Sequence, residues 1–306
     1  MTMKKEFYSN GKLLITGEYL VLDGANAFAL PTKFGQNLIV EKGTAQEIKW
    51  TSFDADGSIW FEDTFSFLDI SNKINTEKSS LRNTLIEILH EGYLLNPEFI
   101  HKSKGYSVTT ALTFPRNWGL GTSSTLINNI AQWLQIDAFV LLNNSFGGSG
   151  YDIACAQNNS PILYHLDNGK PIVEKVIFVP EFTENLYFVY LDKKQNSKAS
   201  IAAYYNNKNK DLAEDIIENN KITFEVLNAK TLNQFALALE RHEAEMSSIL
   251  EMQTVKESLF SDFNGVIKSL GAWGGDFVLV VSKENPREYF KEKGFRTIIP
   301  YHEMIL

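Results

Sequence analysis

The chain of 306 residues is 44% hydrophobic and 22% charged, an ordinary globular composition. Its net charge of −8, with no long lysine or arginine run, argues against nucleic acid and anionic membranes as main partners. A few local cations would still suffice for an acidic small molecule. Cys155 is the only cysteine, so no intramolecular disulfide forms, and a reduced, cytoplasmic setting is the simplest expectation.

The length exceeds what one core usually serves and predicts two lobes. Lys4 and Lys5 are followed by an apolar run of only Leu13, Leu14 and Ile15, too short for a signal peptide, and no stretch approaches a membrane span. The histidines are scattered. His242-Glu243-Ala244-Glu245 lacks the second histidine of a zinc-protease helix and reads as a solvated helix face.

In chain order, short β-favouring runs cover Lys12 to Thr16, Tyr19 to Leu22, Ala27 to Leu30, Asn37 to Glu41 and Glu47 to Phe53. Asp23-Gly24, Gly35 and Asp56-Gly57 punctuate them as turns. Leu81, Leu85, Ile88 and Leu89 predict a helix near Lys78 to Gly92, ended by Gly92 and Pro97. Lys104 to Thr113 alternates as a strand and leads through Pro115 into Gly119-Leu120-Gly121-Thr122-Ser123-Ser124. Leu126, Ile127, Ile130, Ala131 and Leu134 then predict a helix. A second loop, Phe146 to Asp152, precedes the small-residue segment Ile153 to Ala156, and Pro161 to Leu166 and Ile172 to Val179 read as strands.

Pro180 to Glu184 reads as a boundary, giving domains 1–182 and 183–306. Leu186 to Leu191 opens a new β-run. Helices are predicted near Lys198 to Asn206, Leu212 to Asn219, Asn228 to Leu250 and Val255 to Leu270. Phe277 to Val281 reads as a buried strand, followed by a short helix after Pro286 and a strand near Thr297 to Ile299. Strands and helices mix in both halves, so the class is α+β.

A helix starting at Thr122 leaves its first amides pointing back into the glycine loop. Glycine lets an anion approach the backbone, and the helix dipole favours negative charge there. That combination suits phosphate. Serine N-caps on a plain glycine turn would read the same way locally.

Other glycine loops accompany this one: Gly11-Lys12 with Gly17-Glu18-Tyr19, then Gly148-Ser149-Gly150-Tyr151-Asp152, then Gly271-Ala272-Trp273-Gly274-Gly275-Asp276. Their order and polar neighbours resemble the GHMP kinase superfamily, from Gly11 to Asp276, and no P-loop motif occurs. The resemblance implies a two-lobed fold, with an N-terminal ribosomal-S5-domain-2-like lobe and a C-terminal ferredoxin-like α/β sandwich lobe. It implies ATP and Mg²⁺ as cofactors and a small-molecule (phospho)hydroxy-acid substrate. A homodimer stays open.

Residue by residue, the resemblance makes Lys12 the active-site lysine, a cation that can neutralise charge on a transferred phosphoryl group. Pro115, Gly119, Leu120, Gly121, Thr122, Ser123 and Ser124 match the ATP-phosphate loop, with Ser123 in register with a Mg²⁺ ligand, a hard oxygen donor. Asp152 matches the residue that accepts the acceptor's proton or orients it. It could also N-cap the helix from Ile153, a role that can coexist with catalysis, just as Lys12 alone could be an exposed strand lysine. Glu18, Tyr19, Ser149, Gly150, Gly271, Ala272, Gly274 and Gly275 fall at substrate-facing positions. Trp273 stands where the family has a tiny residue. Lys194 and Ser197, in a lysine- and serine-rich loop before a helix, match a substrate-phosphate loop.

Between Ser124 and Asp152 the only acid is Asp137, placed as a helix cap. Mevalonate kinase-like members carry a Mg²⁺-holding glutamate there, so the chain looks more like the phosphomevalonate kinase and diphosphomevalonate decarboxylase branches. 5-Phosphomevalonate is the leading acceptor. Mevalonate kinase, the decarboxylase, and a GHMP-fold metabolite-binding protein without phosphotransfer are the alternatives.

Overall fold

The computed structural model describes residues 4–74, 80–193, 201, 204–205 and 212–306. The chain divides by contact density into two compact units that interleave along the sequence. The first contains residues 1–11, 34–116 and 120–157; the second contains 12–33, 117–119 and 158–306.

In the first unit, strands β2 (Ala27–Lys42), β3 (Glu47–Phe53), β4 (Ile59–Ser66) and β5 (Tyr106–Leu112) pair in the order β4-β3-β5-β2, where β2 contributes its second half. β3 and β5 run parallel, and the other pairs are antiparallel. Alternate residues of β3, Ile48, Trp50 and Ser52, face the core, as a period of two requires. Helices α2 (Ser80–Leu95), α4 (Thr122–Leu134) and α5 (Ala138–Ser145) supply Ile86, Leu89, Ile127, Ile130 and Leu141 to the same cluster. Gly35 lies inside β2 rather than at the predicted turn. A side chain there would meet the Ser9 carbonyl at 2.2 Å, so only glycine lets that part of β1 (Lys5–Thr16) pass.

One face of α4 is polar yet buried. Asn129 donates to the Gln36 carbonyl (2.8 Å) and accepts from Ser9 (2.8 Å). Asn128 donates to Ser9 (2.8 Å) and accepts from Gln157 (3.1 Å), and Thr125 donates to the Gln36 side chain (2.8 Å). Hydrogen bonds have fixed directions and lengths, so this network sets the register of α4 more tightly than apolar contact would.

In the second unit, β8 (Leu186–Tyr190), β9 (Val266–Ser269), β10 (Phe277–Val281) and β11 (Ile298–Pro300) form an antiparallel sheet in the order β11-β8-β10-β9. Two long helices, Ala213–Asn228 and Leu232–Leu250, belong to this unit, the second opened by a Thr231/Gln234 capping box. The first half of β2 pairs with β6 (Ile162–Asp167), which pairs with β7 (Lys170–Lys175). Mixed α and β structure with a separate antiparallel sheet is the predicted class.

Two predicted elements are replaced. The helix expected near Val255 to Leu270 stops at Leu259, and β9 begins at Val266. Val266 and Ile267 pair with β10, and a buried apolar run this short carries no period that separates helix from strand. Gly265 turns the chain where a side chain would strike the Val281 carbonyl. The strand expected from Tyr19 to Leu22 is instead a 3₁₀ turn, Leu20–Asp23, bracketed by left-handed φ angles at Gly17 (91°), Tyr19 (58°) and Gly24 (92°). The helix predicted near Lys198 to Asn206 lies mostly outside the described residues, as do Lys194 and Ser197. None of the described helices is long and apolar enough to cross a membrane.

The buried network predicts the effect of Asn129→Leu. It would take from the Gln36 carbonyl its Asn129 donor and from the Ser9 O–H its acceptor, and cost about 2–3 kcal/mol. Urea unfolding of the full chain measures this; a loss below ~0.5 kcal/mol, the level of a neutral surface change, would show that the network does not hold α4.

Candidate functional site

In the first unit, α4 starts at Thr122 behind Gly121, whose φ of 100° is left-handed and whose lack of a side chain leaves the helix without a side-chain cap. The nearby hydroxyls do not substitute for one. Ser124 turns back to donate to the Gly121 carbonyl at 2.9 Å, and Thr125 is spent on Gln36. The first-turn amides of Thr122, Ser123 and Ser124 are therefore those a helix leaves for an anion. Ser123 is exposed and Thr122 half-exposed, whereas Ser124 is buried. Asp137 caps α5, accepting from Phe139 (2.7 Å) and Val140 (3.2 Å).

The second loop of this unit runs through Gly147, Gly148 and Gly150, all at positive φ, into helix α6 (Tyr151–Gln157). Helix α6 begins at Tyr151, so Asp152 lies in the first turn, past the cap position. Its partial exposure and its place at the positive end of a helix suit a carboxylate. Ser149 is partly exposed and Gly150 buried.

In the second unit, Asn117 to Gly119, the start of the phosphate-type loop, rests on the antiparallel sheet. The Asn117 carbonyl accepts from the Tyr190 hydroxyl at 2.9 Å, and the Trp118 ring stands edge-on to Phe277 at 5.4 Å. Burial, then the Asp276 and Asp192 carboxylates, push the Tyr190 phenol up, so it stays a donor. Asp276 adopts a left-handed φ of 51°, and its carboxylate lies against Gly119 where a methyl group would be 2.3 Å from it. A non-glycine residue held at that φ is a strained position that its surroundings must enforce. Here the Lys193 carbonyl accepts from the Asp276 amide (2.7 Å), and the Asp276 carbonyl accepts from Leu191 (2.8 Å).

Lys12, partly exposed on β1, brings its ammonium nitrogen to 3.9 Å from where a Cβ on Gly271 would stand. Gly271 and Gly274 take positive φ; Ala272 and Gly274 are partly exposed and Gly275 is buried. Trp273 does not obstruct this loop. Its ring is 4% exposed and packs with Leu20, Ala25 and Met246, its indole donates to the Gln253 carbonyl (3.0 Å), and its amide donates to the Tyr19 hydroxyl (3.1 Å).

Glu18 is wholly buried beneath these loops. Its Oε1 accepts from Lys268 at 2.6 Å, and Lys268 also lies 3.3 Å from Glu243. Glu243 in turn accepts from the Ser269 amide (3.1 Å) and hydroxyl (2.7 Å). Burial pushes the Glu18 carboxyl up to about 7, against the opposing pull of Lys268. Burial would push Lys268 down, but Glu18 and Glu243 outweigh it and its pKa is raised, so it stays charged. Burial, then the Lys268 charge, hold His242 well below its ordinary value and neutral.

His242 and Glu243 correct the expectation of a solvated face. They are 1% and 4% exposed, on the stripe of Phe235, Ala238, Leu239 and Met246. That three-and-four spacing was readable in the sequence, but the charge of the segment masked it. Lys268 carries no such signal: a lysine in the four-residue strand Val266–Ser269 gives no hint of its partners.

No protein-family model matches the sequence, and no curated protein matches it. Solved structures do match along nearly the whole chain. Streptococcus pneumoniae phosphomevalonate kinase, in complex with phosphomevalonate and AMPPNP, is 16% identical with a TM-score of 0.69, covering 97% of this chain and 99% of its own. Methanococcus jannaschii mevalonate kinase is 16% identical with a TM-score of 0.68, over 97% and 96%. Lactococcus lactis galactokinase, complexed with galactose, is 13% identical with a TM-score of 0.68, over 95% and 88%.

The charge cluster carries a test. Lys268→Met would leave two buried carboxylates without their cation and destabilise the chain by about 3–5 kcal/mol at neutral pH. Urea unfolding at pH 7 checks it, and a loss under ~1 kcal/mol would mean that the ion pairs are solvated. With strands and helices arranged as in these structures, the chain has the GHMP-kinase fold.

Proposed function

We propose that this protein is an ATP-dependent small-molecule kinase. The observation that carries this reading is the glycine-capped start of α4, whose first-turn amides no side chain covers and whose position a buried polar network holds. The ATP phosphates lie over Gly119 to Ser124. Lys12 stabilises the charge that builds on the phosphoryl group as its bond to ADP breaks and a bond to the acceptor oxygen forms. Asp152 orients the acceptor, or takes its proton when the acceptor is a hydroxyl. Glu18 and Tyr19, Ser149 and Gly150, and the Gly271 to Gly275 loop complete the substrate side.

The donor set suits Mg²⁺ in the sparse manner of phosphoryl-transfer enzymes. Among the described residues no group of three or more histidine, cysteine or acidic side chains could hold a metal. Mg²⁺ there would take Ser123 as its protein ligand with phosphate and water oxygens completing its shell, and would neutralise phosphate charge.

5-Phosphomevalonate is the acceptor this reading favours. The absence of an acid other than Asp137 between Ser124 and Asp152 supports it, with Asp137 spent as a cap. The burial of Trp273 supports catalysis over a binding-only protein, because the ring leaves the loop backbone open.

ADP release with ATP and Mg²⁺, measured against 5-phosphomevalonate, mevalonate, galactose, homoserine and a heptose phosphate, tests the acceptor. 5-Phosphomevalonate is expected to respond most strongly. Silence with all of them removes the kinase reading, and carbon dioxide release would reveal the decarboxylase. Asp152→Asn then separates acceptor types. A hydroxyl acceptor needs a base, so kcat should fall about 10²–10⁴-fold. A phosphomonoester already bears its negative oxygen, so the fall should be much smaller. Unchanged activity in Asp152→Ala would remove any role for that residue.

A further inference from the structure

The surroundings of His242 Nε2 hold a contradiction that one proton on Glu18 relieves in part. This nitrogen accepts from the Gly17 amide at 3.1 Å, yet it also faces Asn219 Oδ1 at 3.2 Å and Glu18 Oε2 at 3.5 Å. The Asn219 amide cannot turn over without loss, since its nitrogen donates to the Asn26 carbonyl at 2.9 Å. A single ring nitrogen either accepts or donates. If it accepts, Gly17 is satisfied and two oxygens point at a lone pair. If it donates, the buried Gly17 amide loses its acceptor. Glu18 Oε2 and His242 Nδ1 are moreover buried with no hydrogen-bond partner among the described residues. Such orphans are rare and costly.

A proton on Glu18 Oε2 turns that oxygen into a donor that shares the Nε2 lone pair with the Gly17 amide, and removes one of the two oxygens that otherwise oppose that lone pair. The groups packed around Glu18 are Lys268 from β9 and His242 and Glu243 from the helix Leu232–Leu250. With one lysine against two carboxylates and a neutral imidazole, the buried cluster carries one negative charge more than it neutralises until that proton arrives. Burial pushes Glu18 up to about 7, so the proton comes and goes near neutral pH.

The same cluster grips both neighbouring loops. Gly17 and Glu18 lead straight into strained Tyr19, whose hydroxyl holds the Trp273 amide, while Lys268 and Glu243 hold Ser269 at the start of the Gly271 loop. We propose that Glu18 and His242 share one exchangeable proton, and that this proton, with Lys268, positions the Gly17 to Tyr19 turn and the Gly271 to Asp276 loop for the phosphotransfer proposed above. Water supplies the proton and receives it back; no other bond changes. The coupling to phosphotransfer rests on that functional reading, whereas the proton and its grip on the loops do not.

The signs fix the test. A carboxyl raised by folding contributes stability at low pH that is lost as pH rises through about 7. A histidine held neutral works oppositely, adding stability as pH rises through its unfolded value of 6.5. Glu18→Gln keeps His242, so the difference between the two proteins isolates the Glu18 effect, which builds between its unfolded value of 4.5 and about pH 7. In that window the urea midpoint of the wild type should fall relative to Glu18→Gln, whose amide does not titrate. Parallel midpoints overturn the shared proton. Should Glu18→Gln not fold, nitrogen-15 NMR of histidine-labelled wild type decides instead. His242 should stay neutral from pH 8 to pH 5.5, with its signals shifting near pH 7, and an imidazolium forming near pH 6.5 overturns the proposal.

Hydrogen exchange of residues 270–276 reads the positioning without any substrate. Corrected for intrinsic rates, the loop should exchange several-fold faster at pH 8 than at pH 6.5 in the wild type; no pH effect overturns the positioning role. With an acceptor in hand, its KM should rise between those pH values in the wild type and stay level in Glu18→Gln. A rise of equal size in both proteins overturns the coupling. If no acceptor is phosphorylated while the exchange result holds, the kinase reading fails and the positioning stands.

Discussion

A helix that starts at a glycine has nothing with which to satisfy its own first amides. That constraint governs the first unit of this protein. Gly121 supplies no cap, and Ser124 and Thr125 point their hydroxyls at other oxygens. The open amides are worth having only if the helix end stays where an anion can use it. The buried asparagines of α4 meet that need. Asn128 and Asn129 tie the helix to Ser9 and Gln36 with directional bonds, at a desolvation cost that an apolar face would not incur. A polar stripe inside a core is therefore the counterpart of an unsatisfied helix end at its rim.

The second unit meets a similar demand with charge. Its glycine loops carry left-handed residues, Tyr19 and Asp276, that no side-chain preference would choose. Each is held by groups distant in sequence: Tyr19 by Trp273, Asp276 by the backbone of Lys193 and Leu191. Beneath them the Glu18–Lys268–Glu243 cluster joins a turn near the start of the chain to a strand near its end. Buried ion pairs of this kind contribute little net stability against apolar packing of equal volume. Their retention here fits a requirement for fixed geometry, since a charge pair has one good arrangement where apolar side chains have several.

Sequence and structure agree where local chemistry is strong. Glu47–Phe53 and Phe277–Val281 form the strands their β-branched and aromatic runs predict. The glycine before Thr122 opens a helix, and Asp137 caps one. They part where local chemistry is ambiguous. Val266 and Ile267 fit a helix or a strand equally, and only β10 beside them decides. Gly35 looks like a turn in one dimension, yet its real function is to let Ser9 and Tyr8 pass. His242 and Glu243 look solvated by composition, although their helical spacing places them on the buried stripe.

By itself the sequence determined the α+β class and the glycine loops, and pointed to Lys12, Ser123 and Asp152 only through a family resemblance. It could do the former because turns, helix starts and amphipathic periods are set by neighbours within a few residues. Tertiary structure alone decided that Trp273 turns inward, that Asp276 rests against Gly119, and that Glu18 shares a dry pocket with Lys268, Glu243 and His242. Those facts depend on partners up to 254 residues apart in the chain. What a buried charge does is set by the few groups that replace its water, and no local pattern names them.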